Sequence, residues 1–264
     1  MFKKTITAIL VGGLTLCIFL PKEFTYASQD EISLSYGESN PIRITDMLNR
    51  LIGKKGYLEE ADKKVIENVE GLDLYEINGV NKKASSIIDE KTKYFLDYEL
   101  NPKMFSLRDT AEHVEIWVAN DLSYPEDDLR NADSISADQI NKMKKHFEEE
   151  IYPAITKIHG APEFHKGENA WLVNQGYLPE DYYVSRDDTS RMIILVDNIK
   201  DGLYYQENST SYIPGYYWSV HKKYMDRDII IVNSKDWEGI LGSIYLSTLT
   251  EETSRMMEDK QNDE

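Results

Sequence analysis

The chain has 264 residues, 47 of them acidic and 30 basic, for a net charge of −17. That balance argues against nucleic acid or an anionic membrane surface as partner, because both would repel it. The length suffices for one good core plus a smaller appendage, and the single cysteine, Cys17, excludes a disulfide framework.

In chain order, Lys3 and Lys4, the apolar run from Ile6 to Leu20 and the small-x-small end Thr25-Tyr26-Ala27 read as a secretory signal over residues 1–27. The expectation is a secreted, extracellular protein with no membrane association after cleavage. The uncharged run falls short of the roughly 18 residues usual for a spanning helix. Leu16, before Cys17, is too large for a lipid-attachment site, and cleavage would remove the cysteine.

Residues 28–90 are charged and sparsely apolar and are expected to form an N-terminal helical appendage or pro-region. Ile44, Met47, Leu48, Leu51 and Ile52 recur at helical spacing before Gly53 and Gly56, and a second amphipathic piece from Leu58 to Val69 stops at Gly71. The main domain, residues 91–264, opens with a predicted β-hairpin: Lys93 to Leu100, a turn at Asn101-Pro102, then Lys103 to Arg108. His113 to Val118 alternates and is β-prone, and an acidic loop follows it.

Ser136-Ala137-Asp138-Gln139 has capping-box spacing, and Ile140, Met143, Phe147, Ile151, Ala154, Ile155 and Ile158 then recur every three or four residues. This predicts a long helix, bent by Pro153 and ended by His159-Gly160. Arg191 to Asp197 and Asp228 to Val232 are apolar runs of the kind that form buried central strands. An aromatic stretch between them, including Tyr204, Tyr205, Tyr212, Tyr216, Tyr217, Trp218 and Tyr224, reads as loop. The segment Gly239 to Asp259 predicts a final helix. The fold class is therefore α+β: a mixed twisted sheet packed on the long helix and the final helix.

Several stretches together resemble the N-terminal half of the catalytic domain of secreted bacterial zincins of the immune inhibitor A-like metallopeptidase family. They are E-H-V-E-I-W-V-A-N-D-L-S-Y-P-E-D-D from Glu112, I-Y-P from Ile151, H-G-A-P from His159 and L-P-E-D-Y-Y from Leu178. R-M-I-I-L-V-D-N-I-K-D from Arg191, Y-I-P-G-Y-Y from Tyr212 and Y-M-D-R-D-I-I-I-V-N-S-K-D-W from Tyr224 complete the set. The resemblance implies a zincin-like subdomain whose final helix would carry L-x-H-E-x-x-H, with two histidines binding zinc and the glutamate between them polarising water. In that frame stands Leu249-Thr250-Glu251-Glu252-Thr253-Ser254-Arg255.

The departures decide the functional expectation. Glu251 and Arg255 stand at the two zinc-ligand positions, and a guanidinium cannot shed its proton to coordinate metal. Glu252 alone keeps the catalytic residue type. Such enzymes draw a further ligand from sequence beyond this helix, and the chain stops nine residues after Arg255. The expectation is a truncated metallopeptidase-like domain, or gene remnant, that is catalytically inactive and binds no zinc, with Glu251 and Arg255 forming an ordinary i, i+4 ion pair.

Two alternatives stay open. One is an active zinc metalloendopeptidase with Glu252 as base and non-standard ligands such as Glu251 and a loop histidine, His159 or His165. The other is a module that binds an extracellular protein or peptide through Tyr212, Tyr216, Tyr217 and Trp218, for which packing in the core is the competing reading. Asn120, Asp121, Glu126, Asp127, Asp128 and Asp133 collect oxygens near one strand end. Asp121, Asp127 and Asp128 form a candidate calcium site there, although the order of an EF-hand loop is absent and a solvated acidic loop competes.

Overall fold

A computed structural model describes residues 44–70, 72, 91–185, 189–209, 211–237 and 242–262. The expected signal segment with Cys17, and residues 28–43, 71 and 73–90 of the expected appendage, lie outside them. Two helices, α1 (Ile44–Ile52) and α2 (Tyr57–Glu70), stand where the amphipathic spacing places them. A six-stranded mixed sheet follows. Its strands are β1 (Thr92–Leu96), β2 (Pro102–Thr110), β3 (Val114–Ala119), β4 (Met192–Asp197), β5 (Gly215–Tyr217) and β6 (Ile229–Asn233), in the order β1-β2-β3-β4-β6-β5.

The first three strands form an antiparallel meander, while β3, β4 and β6 run parallel and β5 returns antiparallel along the edge. Every residue of β4 and β6 is buried, as expected of parallel strands covered on both faces. The strand expected over His113 to Val118 is β3, and although its sequence alternates, all six of its residues are buried. The odd residue, Glu115, is accommodated by the Arg227 guanidinium (Nη2 to Oε1, 3.1 Å) and by the Trp117 indole, which donates to Oε2 at 3.0 Å.

The hairpin turn sits earlier than the sequence suggests. Asp97 Oδ1 accepts the N–H groups of Glu99 and Asn101 at 2.8 and 2.9 Å, closing a loop over Asp97–Asn101 in which Leu100 takes a left-handed φ of 62°. Pro102 thereby becomes the first residue of β2, paired with Leu96, where its missing N–H costs least.

The long helix begins as expected, with Ser136 and Gln139 forming a capping box at the start of α3 (Ala137–His146). Pro153 does not simply bend it. A π turn over Phe147–Ile151 precedes α4 (Tyr152–His159), so Pro153 falls in the first turn of a new helical segment. Gly160 then ends it with φ 84°. Three short helices, α5 (Trp171–Asn174), α6 (Gly202–Tyr205) and α7 (Val220–Met225), lie in the connections, and α8 (Gly242–Asn262) is the final helix. Here α3 packs on β2 and β3, α8 on β5 and β6, and α4 against α8, which assembles the layered α+β architecture read from the sequence. None of the described helices is long and apolar enough to cross a membrane.

Candidate functional site

Tyr245, Leu249, Met256 and Met257 are buried on α8, at spacings of four, seven and one. Glu252 lies inside that stripe, so the period that folds the helix against the sheet also drives a carboxylate into the core. It is 5 % exposed. Its Oε2 accepts from the Thr45 hydroxyl of α1 at 2.6 Å and from the backbone N–H of Tyr217 on β5 at 3.1 Å. That N–H also reaches Thr45 Oγ1 at 3.2 Å. With only neutral donors at the carboxylate, burial dominates and raises its pKa from 4.5 to about 7, against the opposing pull of those hydrogen bonds.

β5 can approach α8 this closely because Gly215 has no side chain. A Cβ there would lie 2.7 Å from the Ile231 carbonyl oxygen and 2.9 Å from Thr248 of α8.

Arg255 is the neighbouring charge, and its Nε donates to Glu251 Oε1 at 3.3 Å, the i, i+4 pair expected from the sequence. It also makes a contact absent from that reading: Nη1 pairs with Asp46 of α1. Asn49, one turn further along α1, accepts from the N–H and hydroxyl of Ser219, both at 3.1 Å. Thr45 and Asp46 thus bind one face of α1 to α8, and Asn49 binds it to Ser219 beside β5. No sequence signal linked Thr45 and Asp46 to α8, because their partners stand about two hundred positions away.

The histidines do not converge. His146 Nδ1 meets the Tyr245 hydroxyl at 3.0 Å and His159 Nε2 meets Ser254 Oγ at 3.0 Å, so both reach α8. Thirteen residues of one regular helix would put them on different sides. The π turn between them changes the helical phase, and both side chains find the same partner helix. His165 faces elsewhere, pairing with Asp226 at 2.8 Å, so His159 and His165 serve different partners. His221 is fully buried with no hydrogen bond to either ring nitrogen among the described residues, and burial pushes its pKa down to about 3.

Tyr216, Tyr217 and Trp218 are each no more than 1 % exposed. Their rings fill the core instead of offering faces to a peptide, which corrects the aromatic-platform reading at these three positions. Tyr216 stacks edge-on with Tyr98, and the Tyr217 hydroxyl donates to Asp259 of α8 at 2.7 Å. Tyr212 remains half-buried.

In the acidic loop, Asp121 Oδ1 accepts the Ser123 N–H at 2.8 Å, and Asp128 receives the Arg130 N–H at 2.8 Å and three Arg130 side-chain hydrogen bonds between 2.5 and 3.0 Å. Arg130 continues to the carbonyls of Leu203 and Tyr204 and lies 3.7 Å over the Tyr124 ring. Asp127 is exposed. Among the described residues no three His, Cys, Asp or Glu side chains are arranged to hold a metal ion, so Asp121, Asp127 and Asp128 do not assemble the proposed calcium site.

At the carboxyl ends of the central strands stands a charge cluster that the sequence reading missed. The carboxylate of Asp197 pairs with Lys103 at 2.6 Å, and Lys200 bridges Asp97 and Glu99 at 3.1 and 3.0 Å. These pairings tie the hairpin to β4 and set three carboxylates against two ammonium groups.

A scan against family models finds none that matches this chain, and no curated protein matches it.

Proposed function

We propose that this chain is a secreted, catalytically silent relative of the immune inhibitor A-like zincins, in which the former zinc-binding helix seats α1. The observation that carries the reading is the engagement of all three motif positions with protein partners. Glu251 pairs with Arg255, Arg255 with Asp46, and Glu252 with Thr45 and the Tyr217 N–H. A water-activating carboxylate needs a lone pair directed at a metal-bound water, whereas Glu252 is buried with its Oε2 committed to two donors inside the protein. Arg255 adds a permanent positive charge where a dication would have to bind.

Elemental analysis of the purified protein, paired with a chelator-sensitive peptidase assay, tests this reading. The expected result is zinc far below one equivalent and no chelator-sensitive cleavage. Near-stoichiometric zinc together with proteolysis abolished by Glu252→Gln would overturn it and establish the enzyme with non-standard ligands.

A further inference from the structure

Lys93 extends from β1, an outer strand of the sheet, with its ammonium 5.8 Å from the centre of the Trp117 ring. Phe95 continues the same face of β1, with ring contacts to Phe105, Trp117 and Tyr183, so the lysine stem runs over an aromatic floor. Beyond Trp117 lies the Glu115 carboxylate, whose two oxygens are taken by the Trp117 indole and the Arg227 guanidinium. Glu115 and Arg227 balance each other's charge. Lys93 is the surplus cation: its amine has no hydrogen bond or ion pair among the described residues, and it is half-buried rather than sealed off.

We propose that Lys93 is a nucleophilic lysine, a site of covalent acylation by small activated acyl donors such as acyl phosphates. The neutral amine attacks the acyl carbon, a C–N bond forms, and the C–O bond to phosphate breaks with its electron pair leaving on phosphate. The nitrogen gives its extra proton to solvent. The product amide is uncharged, which removes the repulsion from Arg227 and, in exchange, gives up the ammonium's attraction to the Trp117 ring.

The supply of free amine follows from the surroundings. Burial, and then the positive charge of Arg227, lower the Lys93 pKa from 10.5 to about 8, with Glu115 pulling the other way. At pH 7.5 roughly one quarter of Lys93 is free amine, against about one part in a thousand for an ordinary lysine. The weaker basicity gives back part of that advantage in intrinsic nucleophilicity, as it does for thiols, leaving about a tenfold net gain. This inference is independent of the silent-zincin reading, because it uses none of the α8 residues on which that reading rests.

The test is limited acetylation of the intact protein with acetyl phosphate, read lysine by lysine by peptide mass spectrometry between pH 6.5 and 10. Lys93 is expected to react about tenfold faster than exposed Lys54 or Lys157 at pH 7.5, with its rate levelling near pH 8. Lys93→Arg should lose the fast-labelled site and leave the other peptides unchanged. Equal labelling of Lys93 and the exposed lysines, or a Lys93 rate still climbing to pH 10, overturns the proposal. That comparison is made within the wild-type protein and stands even if Lys93→Arg fails to fold.

Discussion

Among the described residues two glutamates are buried, Glu115 on β3 and Glu252 on α8, at 8 % and 5 % exposure. Glu115 faces a guanidinium at 3.1 Å and an indole N–H, whereas Glu252 faces a hydroxyl and a backbone N–H. Equal burial therefore produces different electrostatics, because the identity of the donor decides whether the charge is compensated. In the first region a full opposite charge accompanies the carboxylate into the core. In the second no cation touches it, and its proton affinity rises to about neutrality.

The comparison breaks most sharply at Arg227. Arg227→Met leaves Glu115 buried without its counter-charge and also frees the Tyr183 carbonyl. It should cost about 3–5 kcal/mol in urea unfolding at pH 7, and a loss below about 1 kcal/mol would show that Glu115 does not depend on its ion pair.

Glu252 should respond to pH in the opposite sense from a salt-bridged carboxylate. Its folded pKa of about 7 lies above its ordinary 4.5, so the native state holds the extra proton between those values. The contribution is whole below about pH 4.5 and lost as pH rises through 7, on the order of 3 kcal/mol across the window. Denaturant titrations of wild type and Glu252→Gln from pH 5 to 8.5 check this: the glutamine variant should have the flatter profile and be the more stable of the two at pH 8.

Removing the neutral donor sharpens the same point. Thr45→Val should cost about 2 kcal/mol at pH 8, where Glu252 is charged, and less at pH 5; equal losses at both would count against a charge-assisted bond. The smallest effect belongs to the more exposed pair beside it. Asp46→Asn should change stability by less than about 1 kcal/mol, since solvent screens the Arg255 contact, and the change should shrink further in 1 M salt.

Much of the fold was legible because local chemistry and tertiary structure agree. The runs Arg191 to Asp197 and Asp228 to Val232 contain adjacent parallel strands, and Ser136 with Gln139 marks the start of α3. β5 was not legible: three residues between Pro214 and Trp218 carry no period, and their strand character comes from pairing with β6. The burial of Glu252 could have been found, since it shares the stripe of Leu249 and Met256, but its partner Thr45 lies 207 positions away. Tyr216, Tyr217 and Trp218 misled because aromatic residues serve platforms and cores equally well, and only the packing tells them apart.

The clasp between Thr45 and Glu252 also orders events in time. Because α1 leaves the ribosome first among the described helices and its hydrogen-bonding partner on α8 comes last, the clasp cannot close until nearly the whole described chain has been made. Closing so long a loop is entropically costly and comes late in folding. The central strands can condense earlier, so α1 acts as a final latch: in pulse-labelled hydrogen exchange during refolding, its amides should gain protection after those of β4 and β6.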